Sequence, residues 1–140
     1  MSYATLPNMI KRFGEQELIQ LTDRAEPAIE QVDSVVFDAC AARADAHING
    51  YLRATYTVPL ATTPNEVATA AEDVTRYYLY GASGAPDYVK DGFDQATSWL
   101  KDVQRGTVKL DSALVAVATG AGTVGMAEFN TVTNAFAARF

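Results

Sequence analysis

Cys40 and His47 have the residue types of a thiolate–imidazole pair, which could act as a nucleophile and its base. Both fall in one predicted helix, where a separation of 47 − 40 = 7 residues places them on the same face. At a rise of about 1.5 Å per residue they are ~10 Å apart along the axis, too far for a hydrogen bond. We therefore expect Cys40 in the core and His47 at the helix surface or boundary.

Asp87, Asp91 and Asp94 also recur on one face of a predicted helix. Such a carboxylate set could serve acid–base chemistry or hold a divalent ion. Acidic residues near a helix N-terminus are, however, favoured by the helix dipole, and Lys90 lies among them. The pattern therefore predicts a solvent-exposed, charge-balanced face.

Gly120, Gly122 and Gly125 spell the dinucleotide-binding fingerprint after an apolar run. Too little sequence follows Gly125 for a second parallel strand or for an acidic residue that binds a ribose. We interpret the glycines as a flexible connection. No catalytic residue, cofactor or metal is predicted, and the protein is not expected to be an enzyme.

The composition indicates one globular domain. The chain has 140 residues, 49% of them hydrophobic, with one cysteine and a net charge of −6. Such a length can bury a core without disulfides or a structural metal, and the acidic balance disfavours tight nucleic-acid binding without excluding DNA that passes nearby. The longest uncharged run, residues 112–127, is too short and glycine-rich for a membrane span, and Pro7 and Asn8 interrupt any secretory signal.

The spacing of apolar residues predicts a mainly α fold, a small bundle of about five helices. The buried face of the long third helix is expected to contain Val36, Cys40, Ala44, Ile48, Tyr51, Leu52 and Thr55. The inward face of the fifth is expected to contain Tyr88, Val89, Phe93, Ala96, Leu100 and Val103. Short connections favour antiparallel neighbours among the last three. A capping box formed by Thr63 and Glu66 is expected to start the fourth helix. The first helix is expected to end at Gly14, and the second to cover residues 15–21. The third is expected to run from Asp33 or Ser34 to before Pro59. The fourth is expected to run from residues 63–66 to Gly81, and the fifth from near Pro86 to Gly106.

The composition changes after Asp111, which predicts a helical body over residues 1–111 and a C-terminal arm over 112–140. The arm contains glycines and carries two charges, Glu128 and Arg139. A short strand over 113–119 and a helix along its phenylalanines both remain open. Burial of each Val or Phe contributes about 1.5–3 kcal/mol, while ordering each residue costs about 1–2 kcal/mol, so the isolated arm should be loose.

Two placements of the arm remain open, one on another subunit and one folded back over its own helices. The first makes its apolar residues the candidate subunit contacts, namely Leu114, Val115, Phe129, Val132, Phe136 and Phe140.

A family resemblance rests on several short motifs in order, over residues 3 to about 110. They are Tyr3-Ala4-Thr5, Arg12-Phe13-Gly14, 17–24, 48–52 with Tyr56, Pro59 and Leu60, 76–80, and Ala96, Trp99, Leu100, Val103 and Gly106. In these the chain resembles a family of small proteins from Mu-like phages and prophages. Asn49 stands where the resemblance leads us to expect an acidic residue.

That family looks like the helical head-tail adaptors, or connectors, of tailed phages. The resemblance implies a virion structural protein of the neck that is assembled in the host cytoplasm. It implies a dodecameric ring of identical subunits that contacts the portal protein and the tail terminator or other neck proteins. DNA would pass through an acidic lumen without specific binding, and no membrane is involved.

Three other functions remain open at this point. One is another neck or tail ring, such as the tail terminator. The second is a small enzyme that uses Cys40 or the aspartates at 87, 91 and 94. The third is a host-directed, peptide-binding bundle, which would show an open apolar groove on a stable monomer.

Overall fold

The fold is a small, mainly α bundle, as the apolar spacing predicts. The computed structural model describes residues 2–81, 84–111 and 115–117. Within these ranges there are five helices, α1 (Leu6–Phe13), α2 (Glu15–Thr22), α3 (Ser34–Leu52), α4 (Asn65–Tyr80) and α5 (Asp87–Arg105).

Side chains and glycines set several of the helix ends. Asp33 precedes α3, and its carboxylate accepts hydrogen bonds from the Val35 and Val36 amides. Gly106 ends α5 in the left-handed conformation, with φ 85°, and its amide donates to carbonyls of the last turn. Both ends agree with the sequence prediction.

The predicted capping box at the start of α4 is wrong. Pro64 is the N-cap residue, and no side chain caps the helix there. A capping box needs the hydroxyl at the N-cap and the carboxylate three residues later. Because Pro64 occupies the cap, Thr63 and Glu66 are both displaced by one position from the places the motif requires.

The core lies where α3, α4 and α5 pack against one another, with α1 and α2 covering one side. Cys40, Ala44, Ile48 and Leu52 line the buried face of α3, as predicted. In the described part of the chain, the other large apolar side chains that are fully buried are Met9, Leu18, Val67, Val74, Leu79, Val89, Leu100 and Val103.

Phe37 and Tyr88 are among the side chains on these helices that depart from the predicted pattern. Phe37, which the spacing did not select, is buried in the main core. Tyr88, which the spacing placed on the inward face, is 62% exposed. Tyr88 lies in the first turn of α5, where its ring packs beside the guanidinium of Arg76 at 5.2 Å rather than in the core.

Candidate assembly interface

The chain after α5 returns to the helical body and is fixed there; we call residues 107–111 and 115–117 the arm root. The Leu110 amide donates to the Tyr56 hydroxyl at 2.9 Å, and the Thr57 amide donates to the Ala116 carbonyl at 2.8 Å. Tyr56 and Val117 form an isolated antiparallel bridge. The arm root is therefore held by the loop that follows α3.

The two apolar ends of residues 115–117 face different surroundings. Val115 is 8% exposed and belongs to the main core, whereas Val117 is 62% exposed. Within the possible strand over 113–119, only residues 115–117 are described, and Val117 forms the isolated bridge; the choice between a strand and a helix beyond them lies outside the described residues. The chain thus reaches the protein surface at Val117.

Tyr3 fastens the loop that holds the arm root. Its hydroxyl donates to Asn49 Oδ1 at 2.6 Å and accepts from the Leu60 amide at 2.9 Å, while its own amide donates to Asp45 Oδ1 at 3.0 Å. Burial raises the pKa of Tyr3, so the hydroxyl keeps the proton that it donates. Tyr3 thereby joins the N-terminus, α3 and the 53–64 loop.

Two arginines attach α1 and α2 to α4, and we call this group the arginine–phenylalanine cluster. Arg76 binds both carboxylate oxygens of Glu17, at 2.6 and 2.8 Å, and Arg12 lies 2.9 Å from an Asp73 oxygen and 3.1 Å from a Glu72 oxygen. Both guanidinium groups also lie over the Phe13 ring, at 4.8 Å for Arg12 and 4.1 Å for Arg76. Each arginine in this cluster is paired with at least one carboxylate, which indicates a structural role.

A surface groove runs between α4 and α5, and we call it the α4–α5 groove. It has a volume of about 300 Å³ and is lined by Glu66, Thr69, Ala70, Asp73, Gln95, Ala96 and Trp99. Ala70 and Ala96 are buried beneath it, and their short side chains leave the space open. The half-buried Trp99 gives the groove an aromatic wall.

Cys40 and His47 occupy the positions predicted from their helix. Cys40 is buried, and this burial raises the pKa of its thiol, which disfavours the reactive thiolate. His47 is half-buried; its Nε2 lies 3.2 Å from Thr97 Oγ1, and its ring contacts Tyr51 and Phe93 at centroid distances of 5.3 and 5.4 Å. Burial lowers the pKa of His47, so the imidazole is neutral at pH 7.

Asp87, Asp91 and Asp94 are all exposed on α5, so the predicted solvated face is confirmed. In the described ranges, no group of three or more His, Cys, Asp and Glu residues is arranged to hold a metal ion. No helix of the described residues combines the length and the apolar character that a bilayer span requires.

The predicted subunit contacts fall in two groups. Val115 is covered by its own helical body, through the core contacts given above. Leu114, Phe129, Val132, Phe136 and Phe140 lie outside the described residues, as do the glycines of the 120–125 fingerprint. Their role as contacts, and the boundary between residues 111 and 112, stay predictions.

The fold and this site define a class: a small helical-bundle protein that fixes the start of its C-terminal segment at one point of its surface. The family model described as "Bacteriophage Mu, Gp36" matches residues 3–128, and the chain belongs to that family. The protein "Gene product J" of Escherichia phage Mu is 30% identical to it over 106 residues, which cover 76% of this chain and 74% of that protein. The chain is thus a Mu-like phage protein, and its family supports a role in the virion or its morphogenesis.

Proposed function

We propose that this protein is a head-tail adaptor, a structural component of the virion neck that forms a ring between the portal and the tail. Membership of the Mu Gp36 family and the helical fold support this assignment. The observation that carries it is the arm root, which fixes the chain at Val117 on the surface of the body. Residues 118–140 therefore begin at a defined place on each subunit.

The apolar side chains of the arm are suited to contact with another protein. Phe129, Val132, Phe136 and Phe140 each gain about 1.5–3 kcal/mol if they are buried against another protein. A ring subunit uses two different surfaces toward its two neighbours, and it also needs a surface for the portal. An apolar extension anchored on a compact body supplies such a contact.

The charge of the protein suits a channel for DNA. The chain carries a net charge of −6, and on the exposed face of α5 the three acids Asp87, Asp91 and Asp94 outnumber the one interleaved cation, Lys90. Like charges repel the phosphate backbone, so a lumen lined by these aspartates would let DNA pass without binding it. Replacing the three aspartates with lysine should slow genome release, and an unchanged release rate would refute this electrostatic part of the proposal.

The main test is a truncation that removes residues 118–140 and keeps the arm root. Deletion from Ser112 would also remove Val115, which is part of the core, and would confound assembly with stability. We expect the full chain to co-sediment with purified portal and to form rings in electron micrographs. The truncated chain should melt at the same temperature and should fail in both assays.

A matched pair of full-length variants separates apolar contact from arm length. Phe129→Ala, Phe136→Ala and Phe140→Ala together should weaken portal binding or ring formation, whereas Thr131→Ala with Thr133→Ala should not. If the truncated chain binds portal and forms rings as the full chain does, the proposed adaptor role of the arm is wrong.

A further inference from the structure

We infer that the α4–α5 groove receives the end of the C-terminal arm of a neighbouring copy. In this arrangement Phe136 and Phe140 lie beside Trp99, and Arg139 lies beside Glu66. The inference rests on the proposed ring assembly and names the surface that each arm would bind.

The shape and chemistry of the groove fit an aromatic side chain. Its volume is about 300 Å³, its floor contains Ala70 and Ala96, and Trp99 stands at its wall. Aromatic pairs favour offset or edge-to-face contacts, and each aromatic side chain carries a large apolar area for burial. The arm ends in Phe136-Ala-Ala-Arg-Phe140, in which small residues separate two aromatic rings. Large rings on the arm thus match small residues on the groove floor.

The charges of the α4–α5 groove and of the end of the arm are complementary. Glu66 is exposed at the groove and has no ion pair within the described ranges, while Asp73 is already paired with Arg12. The arm carries one cation, Arg139, next to Phe140. An arginine between two phenylalanines can reach a carboxylate at the rim while the rings enter the groove. The ion pair would then select the register of the docked segment.

The length of the arm lets it reach the groove of a neighbouring copy. The arm root is held by Tyr56 and Thr57 after α3, whereas the groove is lined by residues of α4 and α5 only. The segment from Val117 to Phe140 spans up to ~75 Å when extended, which exceeds the ~30 Å diameter of a domain of this size. In a closed ring each subunit offers one arm and one groove, so every groove can be filled.

Cross-linking between two different variants tests this arrangement directly. In a Cys40→Ala background, one protein carries Gln95→Cys in the groove and a second carries Ala137→Cys in the arm. The two are mixed as full chains, allowed to assemble alone and with portal, and treated with a short bismaleimide. We expect a covalent heterodimer, and we expect Ala42→Cys, on the exposed face of α3, to give none in place of Gln95→Cys.

A charge exchange between Glu66 and Arg139 provides a second test. Glu66→Arg should lower the cross-linking yield, and adding Arg139→Glu to the partner should restore it. Glu15→Arg, at an exposed acid on α2 that does not line the groove, should leave the yield unchanged. Phe136→Ala with Phe140→Ala should weaken the association between groove and arm by about a hundredfold or more.

The outcomes separate this inference from the proposed function. Rings that assemble without the groove-to-arm cross-link overturn the inference and leave the adaptor role standing. A cross-link in a chain that does not bind portal supports the inference and overturns the adaptor role. A chain with both cysteines that yields only an internally linked monomer shows that the arm docks on its own body, and it refutes docking on a neighbour. Absence of any association between copies overturns both.

Discussion

Removal of the Tyr3 hydroxyl should measurably destabilise the whole bundle. Tyr3→Phe keeps the ring and deletes both the hydrogen bond to Asn49 and the acceptor for the Leu60 amide. Asn49 is partly exposed, so water can replace the lost donor there, whereas Leu60 is buried. A buried amide without a partner costs about 1–3 kcal/mol.

The expected loss follows from that single orphaned amide. At about 4 °C per kcal/mol for a chain of this size, the melting temperature of Tyr3→Phe should fall by roughly 4–12 °C. Circular dichroism at 222 nm and urea unfolding would measure it, with Tyr51→Phe as the matched control. Tyr51 is half-buried, and within the described residues its hydroxyl has no assigned hydrogen bond.

Thr75 is a buried polar residue whose substitution should stabilise the protein, in contrast to Tyr3→Phe. Its Oγ1 is buried and has no hydrogen-bond partner in the described part of the chain. Thr75→Val should therefore keep the shape, remove an unsatisfied polar atom and raise the free energy of unfolding by about 1 kcal/mol. If Tyr3→Phe melts like the unmodified protein, or if Thr75→Val melts lower by as much as Tyr3→Phe, the reasoning from hydrogen-bond partners is wrong.

The remaining predictions concern a helix cap, an ion pair and a histidine. Asp33→Ala should lower the free energy of unfolding by about 1 kcal/mol, because the Val35 and Val36 amides lose their acceptor, and thermal melting would detect it. Arg76→Lys should cost about 1 kcal/mol in urea unfolding, because lysine cannot bind both Glu17 oxygens in the fork geometry of arginine. Since burial lowers the pKa of His47 below its ordinary 6.5, the unfolded chain binds more protons there. Stability should therefore decrease as the pH falls from about 7 to 5, as measured by unfolding at several pH values.

Each of these predictions has a control on the same structure. Asp38→Ala removes an exposed acid from the interior of α3 and should have little effect. An Arg76→Lys cost that is unchanged in a Glu17→Gln background would show that the pair is not its cause. His47→Gln should flatten the pH dependence above pH 5, because the chain has one histidine. Burial raises the pKa of Asp45 and Asp73, so these groups change the stability with the opposite sign.

Local signals in the sequence are sufficient to predict the helices and several of their ends. The cap at Asp33, the stop at Gly106 and the apolar face that contains Ile48 are set by neighbouring residues, and all three were predicted. The capping box failed because Pro64, rather than Thr63, occupies the N-cap, a shift of one residue that the motif alone does not reveal. The spacing misplaced Tyr88 because its ring packs beside the Arg76 guanidinium, a contact with another helix that the apolar pattern of α5 does not encode.

The candidate interface depends on contacts between distant parts of the chain, which periodicity does not encode. Tyr3 meets Leu60 and Tyr56 meets Leu110, each through a hydroxyl that satisfies a backbone amide far along the sequence. The family resemblance included both tyrosines and so pointed to their positions, but not to these roles. The groove was missed for a related reason, because it forms where alanines of two helices face each other.

Trp99 gives this molecule a built-in optical reporter. It is the one tryptophan in the chain, and its indole stands at the α4–α5 groove. The tryptophan emission of the whole protein therefore originates at that surface. An occupant that displaces water from the indole would shift the emission to shorter wavelength, so the kinetics of subunit association can be followed in real time without a dye.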